Sequence, residues 1–115
     1  MPEKGRGSVK WRTLLEQVLA RGGPRLYQKP AVTVEGDVHH REIMSRIYDG
    51  AQELLPAEYM PLVNQLGLAE SYDRQQMNRI IPLLALWPEE TLAFPLCVDS
   101  LLQRSFQRWL RDTLL

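Results

Sequence analysis

The chain has 115 residues, of which 44% are hydrophobic and 24% charged, and its 14 basic side chains balance 14 acidic ones. A domain of this size buries roughly 65% of its unfolded surface, so the composition excludes a disordered polypeptide and allows a single core. A net charge of zero excludes attraction of nucleic acid over the whole surface, so any basic site must be local. The single cysteine excludes an internal disulfide, and neither a signal peptide nor a membrane-spanning apolar run is present. We therefore expect a reduced, cytoplasmic environment.

Residues 1–23 are predicted to form a linker helix. Ser8 is a suitable N-cap, and the segment ends at Gly22, Gly23 and Pro24. Helical spacing places five apolar side chains on one stripe, namely Trp11, Leu14, Leu15, Val18 and Leu19. This stripe either packs on the domain that follows or docks on an upstream domain, and the first interpretation is the simpler one.

A β-hairpin is predicted next. The β-branched and aromatic content rises from Arg25 to Val34, and alternation resumes from Val38 to Tyr48. Between these segments, Glu35-Gly36-Asp37 has the chemistry of a turn.

Two helices follow the hairpin. The first begins near Pro56 and ends near Gly67, with Pro61 marking the point where a short turn hands over to the helix proper. The second runs roughly from Ser71 to Leu86 and is closed by Trp87-Pro88. Its buried stripe is predicted to be Met77, Ile80, Ile81 and Leu84, and its polar face Asp73, Arg74, Gln75 and Arg79.

The C-terminal part is predicted to be one strand and one helix. Thr91 to Val98 is nearly all apolar, which is typical of a parallel strand covered on both faces, and an amphipathic helix containing Phe106 and Trp109 follows. The fold class is therefore α/β. Three strands cannot close a barrel, so we expect a partial barrel whose uncovered edge makes the isolated chain self-associate.

Three segments of the chain resemble the motifs of EAL domains. That family typically has a Tyr-Gln-Pro strand, a Glu-Ala-Leu-x-Arg strand, and a Pro-Ala-Glu-Phe-Ile-Pro helix start leading to Gly-Leu. The matching segments here are Tyr27-Gln28, Glu42-Ile43-Met44-Ser45-Arg46, and Pro56-Ala57-Glu58-Tyr59-Met60-Pro61 with Gly67-Leu68. The resemblance implies that residues 24–115 are the N-terminal half of a TIM-like EAL barrel.

The resemblance also implies a cyclic di-GMP phosphodiesterase site that has decayed. Active relatives use two Mg or Mn ions, and Glu42 matches the first metal ligand, while Gln28 and Arg46 match positions that contact the nucleotide. The next ligand of the family is an Asn, and an ungapped alignment places Pro95 there, whereas a gapped one places Asp99. We prefer the ungapped alignment. It predicts no catalytic residue, no metal site and no cofactor, with phosphodiesterase or cyclic di-GMP receptor activity as the alternatives.

Other candidate site residues have simpler interpretations. His39 and His40 are neighbours on a strand, so their side chains are expected to point to opposite faces and not to share a metal. A pH-sensitive or merely hydrogen-bonded pair is the preferred interpretation. Cys97 lies in an apolar strand and is expected to be a packed, unreactive thiol.

Three arginines give the last helix a basic face. Arg104, Arg108 and Arg111 recur at helical spacing, which usually means only a solvated surface. The sharper hypothesis is a surface for a protein partner or for the phosphates of a small regulatory RNA, although the chain has no RNA-binding motif.

The segment from Leu26 to Arg46 is similar to that of membrane-anchored regulators that combine degenerate GGDEF and EAL domains. This resemblance implies a non-catalytic role in the turnover of small regulatory RNAs through the ribonuclease E pathway. It also implies contact with the glucose-specific EIIA protein of the phosphotransferase system, and a parent protein anchored in the inner membrane, although this segment itself has no membrane contact.

Overall fold

The computed structural model describes residues 7–115, apart from the side chain of Ser8, so residues 1–6 of the predicted linker lie outside the described part. No helix within that part is long and apolar enough to cross a membrane. The elements, in chain order, are α1 (Ser8–Ala20), β1 (Arg25–Val32), β2 (Val38–Asp49), β3 (Gln52–Leu54), α2 (Pro56–Gln65), α3 (Ala69–Leu86), β4 (Leu92–Ala93), α4 (Val98–Leu101) and α5 (Arg104–Leu114).

The predicted hairpin is confirmed, and it contains a bulge. Strands β1 and β2 pair antiparallel, and the turn between them is closed by the amide of Thr33 donating to the carbonyl of Asp37 at 2.8 Å. Gly36 adopts φ +91° in this turn, a conformation that favours glycine. The register pairs Ala31 with His40 and then Val32 with Val38, which leaves His39 as the extra residue.

The sheet extends from β2 in two ways. Strand β3 returns antiparallel to the end of β2, and β4 runs parallel to it, with Glu42 of β2 opposite Ala93. The predicted α/β architecture with one parallel strand is therefore correct.

The predicted strand from Thr91 to Val98 is too long, because only Leu92–Ala93 are paired. Pro95 has no N–H to donate, so the ladder cannot continue through it. The prediction that both faces are covered is also wrong: Phe94 and Leu96 are partly buried, whereas Ala93 and Pro95, which alternate with them, are exposed. A single layer of helices covers this segment.

Helix α1 packs on the domain that follows it. Leu15 is 2% exposed and joins the larger core cluster, with Trp11, Leu14, Val18 and Leu19 packed against that cluster. The helix begins at Ser8 with Gly7 as its N-cap, so the predicted capping role of Ser8 is wrong by one position. Of the two predicted roles for this apolar stripe, the structure shows the first, packing on the domain that follows.

The two middle helices are continuous through their prolines. Pro61 lies within α2 and Pro82 within α3, and both are exposed. The prediction that Pro61 separates a short turn from the helix proper is therefore wrong. A proline in a helix removes one backbone hydrogen bond and leaves one carbonyl without its helical partner. Because these prolines are exposed, water can hydrogen-bond that carbonyl, and the helix tolerates them.

Three hydroxyl groups are buried between β2, α2 and α3. Ser45 Oγ lies 2.9 Å from Tyr59 Oη and is also hydrogen-bonded to Tyr72 Oη, and the two tyrosine hydroxyls lie 2.7 Å apart. We call this set the hydroxyl triad. Burial raises the pKa of both tyrosines, so the triad is neutral at ordinary pH. Each hydroxyl of the triad has a hydrogen-bond partner, and the triad therefore avoids the free-energy cost of burying an unpaired polar group.

Candidate functional site

A cavity of about 810 Å³ opens beside the middle of β2. It is bounded by β2, the start of α2, the buried face of α3, and the segment that follows β4. Most of its surface is apolar. Its lining includes Glu42, Arg46, Asp73, Gln76 and Pro95.

Glu42 and Arg46 lie four residues apart on β2 and therefore project from the same face of the sheet. Both line the cavity. Glu42 is exposed, with Oε2 3.7 Å from Nε2 of His40. Arg46 is held by a 2.7 Å ion pair with Glu53 and lies 5.0 Å above the ring of Tyr27. The structure thus brings two of the three predicted nucleotide-binding residues together.

Gln28, the third predicted nucleotide-binding residue, lies on the other face of the sheet. It is paired with Ile43 in the β1–β2 register, and directly paired residues share a face. Ile43 points away from the face of Glu42 and Arg46, and Gln28 therefore does so too. Its Oε1 accepts a 2.8 Å hydrogen bond from Nη1 of Arg41. Gln28 is not among the residues that line the cavity.

Arg41 fastens this side of the hairpin to the loop before β4. Its Nε lies 2.6 Å from Oε1 of Glu90, and its guanidinium stacks 4.5 Å above the ring of Trp87. Its backbone amide also donates to the carbonyl of Thr91 at 2.9 Å. Arg41 therefore links β2 to the segment that leads into β4.

Pro95 and Asp99, the two alternatives for the second family ligand, occupy different surroundings. Pro95 lines the cavity, two residues beyond the Ala93 that pairs with Glu42. Asp99 lies in the first turn of α4, is exposed, and is not part of the lining.

Asp73 was predicted on the polar face of its helix, and this prediction is wrong. Asp73 is 1% exposed, and its Oδ2 accepts a 2.9 Å hydrogen bond from the backbone amide of Cys97. Gln76, also 1% exposed, donates from Nε2 to the carbonyl of Pro95 at 2.9 Å. Two side chains of α3 thus hydrogen-bond the segment after β4, where no strand pairing is available.

Sequence reasoning missed these two polar residues, although a signal existed. Asp73 and Gln76 fall at the helical spacing of Tyr72, Met77 and Ile80, the buried stripe of α3. A polar residue inside an apolar stripe indicates a specific buried partner.

Cys97 is a buried thiol, as predicted. Desolvation raises its pKa to about 12, and the neighbouring carboxylate of Asp73 adds to this shift. A thiol held in the protonated form is a poor nucleophile at neutral pH.

The two histidines form a hydrogen-bonded pair, as predicted, but the prediction that their side chains point to opposite faces is wrong. Their Nδ1 atoms lie 2.9 Å apart, and the rings are edge to face at 5.2 Å. The bulge at His39 breaks the alternation on which the prediction depended. Over residues 7–115, no three His, Cys, Asp or Glu side chains are grouped so that they could hold a metal ion.

The arginines of α5 lie on one helix face as predicted. Arg104, Arg108 and Arg111 surround an open depression of about 480 Å³ together with Gln107. All four are exposed, and among residues 7–115 only Arg111 has a nearby carboxylate, with Nε 3.6 Å from Oδ1 of Asp112. The surface is therefore a concentrated positive patch, which we call the α5 arginine row.

One named relative matches the whole chain. The RNase E specificity factor CsrD of Escherichia coli (strain K12) is 67% identical over 115 residues. The match covers 100% of this chain and 18% of that protein, so the chain spans less than a fifth of the relative.

Solved EAL-containing structures have the same fold. The Vibrio cholerae LapD S helix-GGDEF-EAL structure (apo) superposes with a TM-score of 0.81 and 26% identity, covering 98% of this chain and 28% of that one. The Pseudomonas aeruginosa FimX EAL domain bound to c-di-GMP gives 0.77 and 32% identity, covering 90% and 43% respectively. The family model of the EAL domain matches residues 11–115, and the chain belongs to the EAL domain family.

Proposed function

We propose that the chain is a regulatory EAL-type domain that recognises other macromolecules and does not hydrolyse cyclic di-GMP. The observation that carries this proposal is the position of Pro95. It lies at the cavity beside Glu42, where the resemblance to EAL enzymes places the second metal ligand. A two-metal site needs several oxygen ligands, and a proline side chain offers none.

The surroundings of Asp99 support the same conclusion. The gapped alignment would make Asp99 the ligand, but this residue belongs to α4 and does not line the cavity. Losing even an indirect partner of a metal commonly costs 10 to 100-fold in affinity or activity, so replacing a direct ligand costs more.

A turnover assay tests the catalytic half of the proposal. We expect no hydrolysis of cyclic di-GMP with Mg²⁺ or Mn²⁺. Metal titration of two variants sharpens the test: Pro95→Asn adds an amide oxygen to the wall of the cavity that Glu42 also lines and should tighten Mn²⁺ binding, whereas the matched control Pro95→Ala should not. Metal-dependent turnover by the unmodified chain would contradict the proposal.

The recognition half rests on the relative. A protein 67% identical to this chain is named a specificity factor for RNase E, which supports a role for this chain in ribonuclease E-dependent turnover of small regulatory RNAs. The α5 arginine row is the surface we assign to this role, because three cations lie on one helix face and two of them, Arg104 and Arg108, have no carboxylate within ion-pair distance among the described residues. The expected partner is an acidic protein surface, with the glucose-specific EIIA protein as the candidate from the resemblance.

Charge variants separate a protein partner from RNA. Arg108→Glu should weaken binding of the EIIA protein at least tenfold, while Arg12→Glu, an exposed arginine on α1, serves as the matched control. If the surface binds RNA instead, the slope of the logarithm of the binding constant against the logarithm of salt concentration should become shallower by roughly one unit for each arginine removed. Equal effects of both variants would remove the α5 arginine row from the proposal.

A second candidate is a cyclic di-GMP receptor without catalysis. It is favoured by the shared cavity of Glu42 and Arg46 and by the 32% identical FimX EAL domain, whose structure is bound to c-di-GMP. Calorimetry decides: binding heat should be weakened by Arg46→Ala and left unchanged by Arg12→Ala. Absence of heat with the unmodified chain would eliminate this candidate.

A further inference from the structure

A second, smaller cavity lies where α1 ends and β1 begins. Its volume is about 270 Å³, and arginines from four separate elements line it, namely Arg21, Arg25, Arg46 and Arg79. The remaining wall is formed mainly by Val18, Pro24, Ile47 and Tyr48. No acidic side chain contributes to the lining in the described part of the chain.

The positive charges at this cavity are only partly neutralised. Arg46 is paired with Glu53 at 2.7 Å. The other three, which we call the arginine cluster, have no carboxylate within ion-pair distance among residues 7–115. An uncompensated group of three guanidiniums raises the local concentration of anions.

Arg79 fixes the cluster to the end of α1. Its Nε donates to the carbonyl of Gly22 at 2.8 Å, and Nη2 donates to the carbonyl of Arg21 at 3.4 Å. The negative pole of the helix dipole lies at this end, and Arg79 offsets it. A guanidinium has five N–H donors, so three remain for a ligand.

The turn between Arg21 and Arg25 is closely packed. Gly22 and Gly23 adopt φ of +103° and +97°, and Pro24 is fully buried. A Cβ added at Gly23 would lie 2.7 Å from Cβ of Gln75, so this turn packs directly against α3. The cluster therefore starts from a fixed scaffold, which lowers the entropy lost when its side chains close on a ligand.

We propose that the arginine cluster binds the phosphate group of a small phosphorylated ligand. Planar guanidiniums match phosphate oxygens in pairs, and arginines from different elements can surround one group. A volume of about 270 Å³ admits a phosphate with several waters, since each water fills about 30 Å³. The site is separate from the cavity that holds Glu42, although Arg46 contributes to both walls.

Pyrophosphate is the probe that tests the site. Binding to the 115-residue chain is followed by NMR at constant ionic strength, with sulfate as the competing oxyanion. We expect shifts at Gly22, Gly23 and Arg25 that pyrophosphate causes at lower concentration than sulfate does. Arg25→Gln and Arg21→Gln should each weaken binding by about tenfold, the loss of one charge-assisted hydrogen bond.

The controls separate a built site from general attraction. Arg12→Gln removes the same charge from an exposed position on α1 and should leave pyrophosphate binding unchanged. Arg79→Lys keeps the charge but loses the paired geometry, so it should weaken binding while the chain stays folded. Equal weakening by Arg12→Gln and Arg25→Gln, or shifts that follow ionic strength alone, would overturn the proposal. Neither result depends on the α5 arginine row or on turnover of cyclic di-GMP.

Discussion

Two neighbouring side chains of α3 contact very different partners. Tyr72 belongs to the hydroxyl triad, packed between β2, α2 and α3. Asp73, together with Gln76, hydrogen-bonds the backbone of the segment after β4, where strand pairing has ended. The first region is fixed by packing and the second by two hydrogen bonds, so substitutions should affect them through different mechanisms.

The largest effect is expected at Tyr59, which is completely buried. Tyr59→Ala should lower the free energy of unfolding by about 3 to 5 kcal/mol, because it leaves a cavity and breaks the hydroxyl triad. Tyr59→Phe is the matched control and should cost about 1 kcal/mol, since Ser45 and Tyr72 still satisfy each other. Urea unfolding measures both values. A loss below 1 kcal/mol for the alanine variant would show that this region is not tightly packed.

Asp73→Ala tests the second region. It leaves the buried amide of Cys97 without an acceptor and should cost about 2 to 3 kcal/mol. Asp73→Asn keeps an oxygen acceptor and should cost much less. Hydrogen exchange gives the local readout, because the Cys97 amide should lose protection in the alanine variant and keep it in the asparagine variant. Unchanged protection in both would show that the hydrogen bond does not hold this segment.

Alkaline pH should weaken both regions, in a fixed order. The thiol of Cys97 has its pKa raised from 9.0 to about 12 in the folded chain. A group whose folded pKa is raised stabilises the chain below its unfolded pKa, so this contribution is complete below pH 9 and is lost progressively toward pH 12.

Burial raises the pKa of Tyr59 and Tyr72 above 10.0 in the folded chain, and their contribution to the free energy of unfolding is therefore lost as the pH rises above 10. Urea unfolding between pH 7.5 and 11 should show stability falling from pH 9 upward, and Cys97→Ala should delay that onset to about pH 10. A constant free energy of unfolding over this range would contradict the prediction.

The smallest effect is expected at Pro95. Pro95→Ala restores an N–H on an exposed residue, so its effect on stability should stay within about 1 kcal/mol. The informative result is local: if Pro95 is what ends β4, amide protection should extend beyond Ala93 in the variant. Protection that still stops at Ala93 would mean that Asp73 and Gln76, rather than the proline, draw the chain out of the sheet.

Much of the fold could be predicted from periodicity. The hairpin, α2, α3 and α5 all have clear apolar patterns, and each is present. Strand β3 and helix α4 were missed because three or four residues carry too little pattern to recognise. The bulge at His39 was missed because it arises from the pairing of two strands, which neither segment reveals alone.

The site was predicted less completely, for a related reason. Glu42 and Arg46 share a strand, so alternation alone places them on one face. Gln28 lies on a different strand, and its face depends on the register with β2. Asp73 contacts Cys97 across 24 residues, a pairing that only the folded chain creates.

The parallel pairing of β4 with β2 has a consequence for how the chain assembles. It joins Arg41 to Leu92, about fifty residues apart in sequence, whereas the β1–β2 hairpin closes through a short turn. Closing the longer loop costs more conformational entropy, and the pairing that results stabilises it through only two residue pairs. The hairpin is therefore expected to form early, and docking of β4 is expected to be the last and most reversible step of folding.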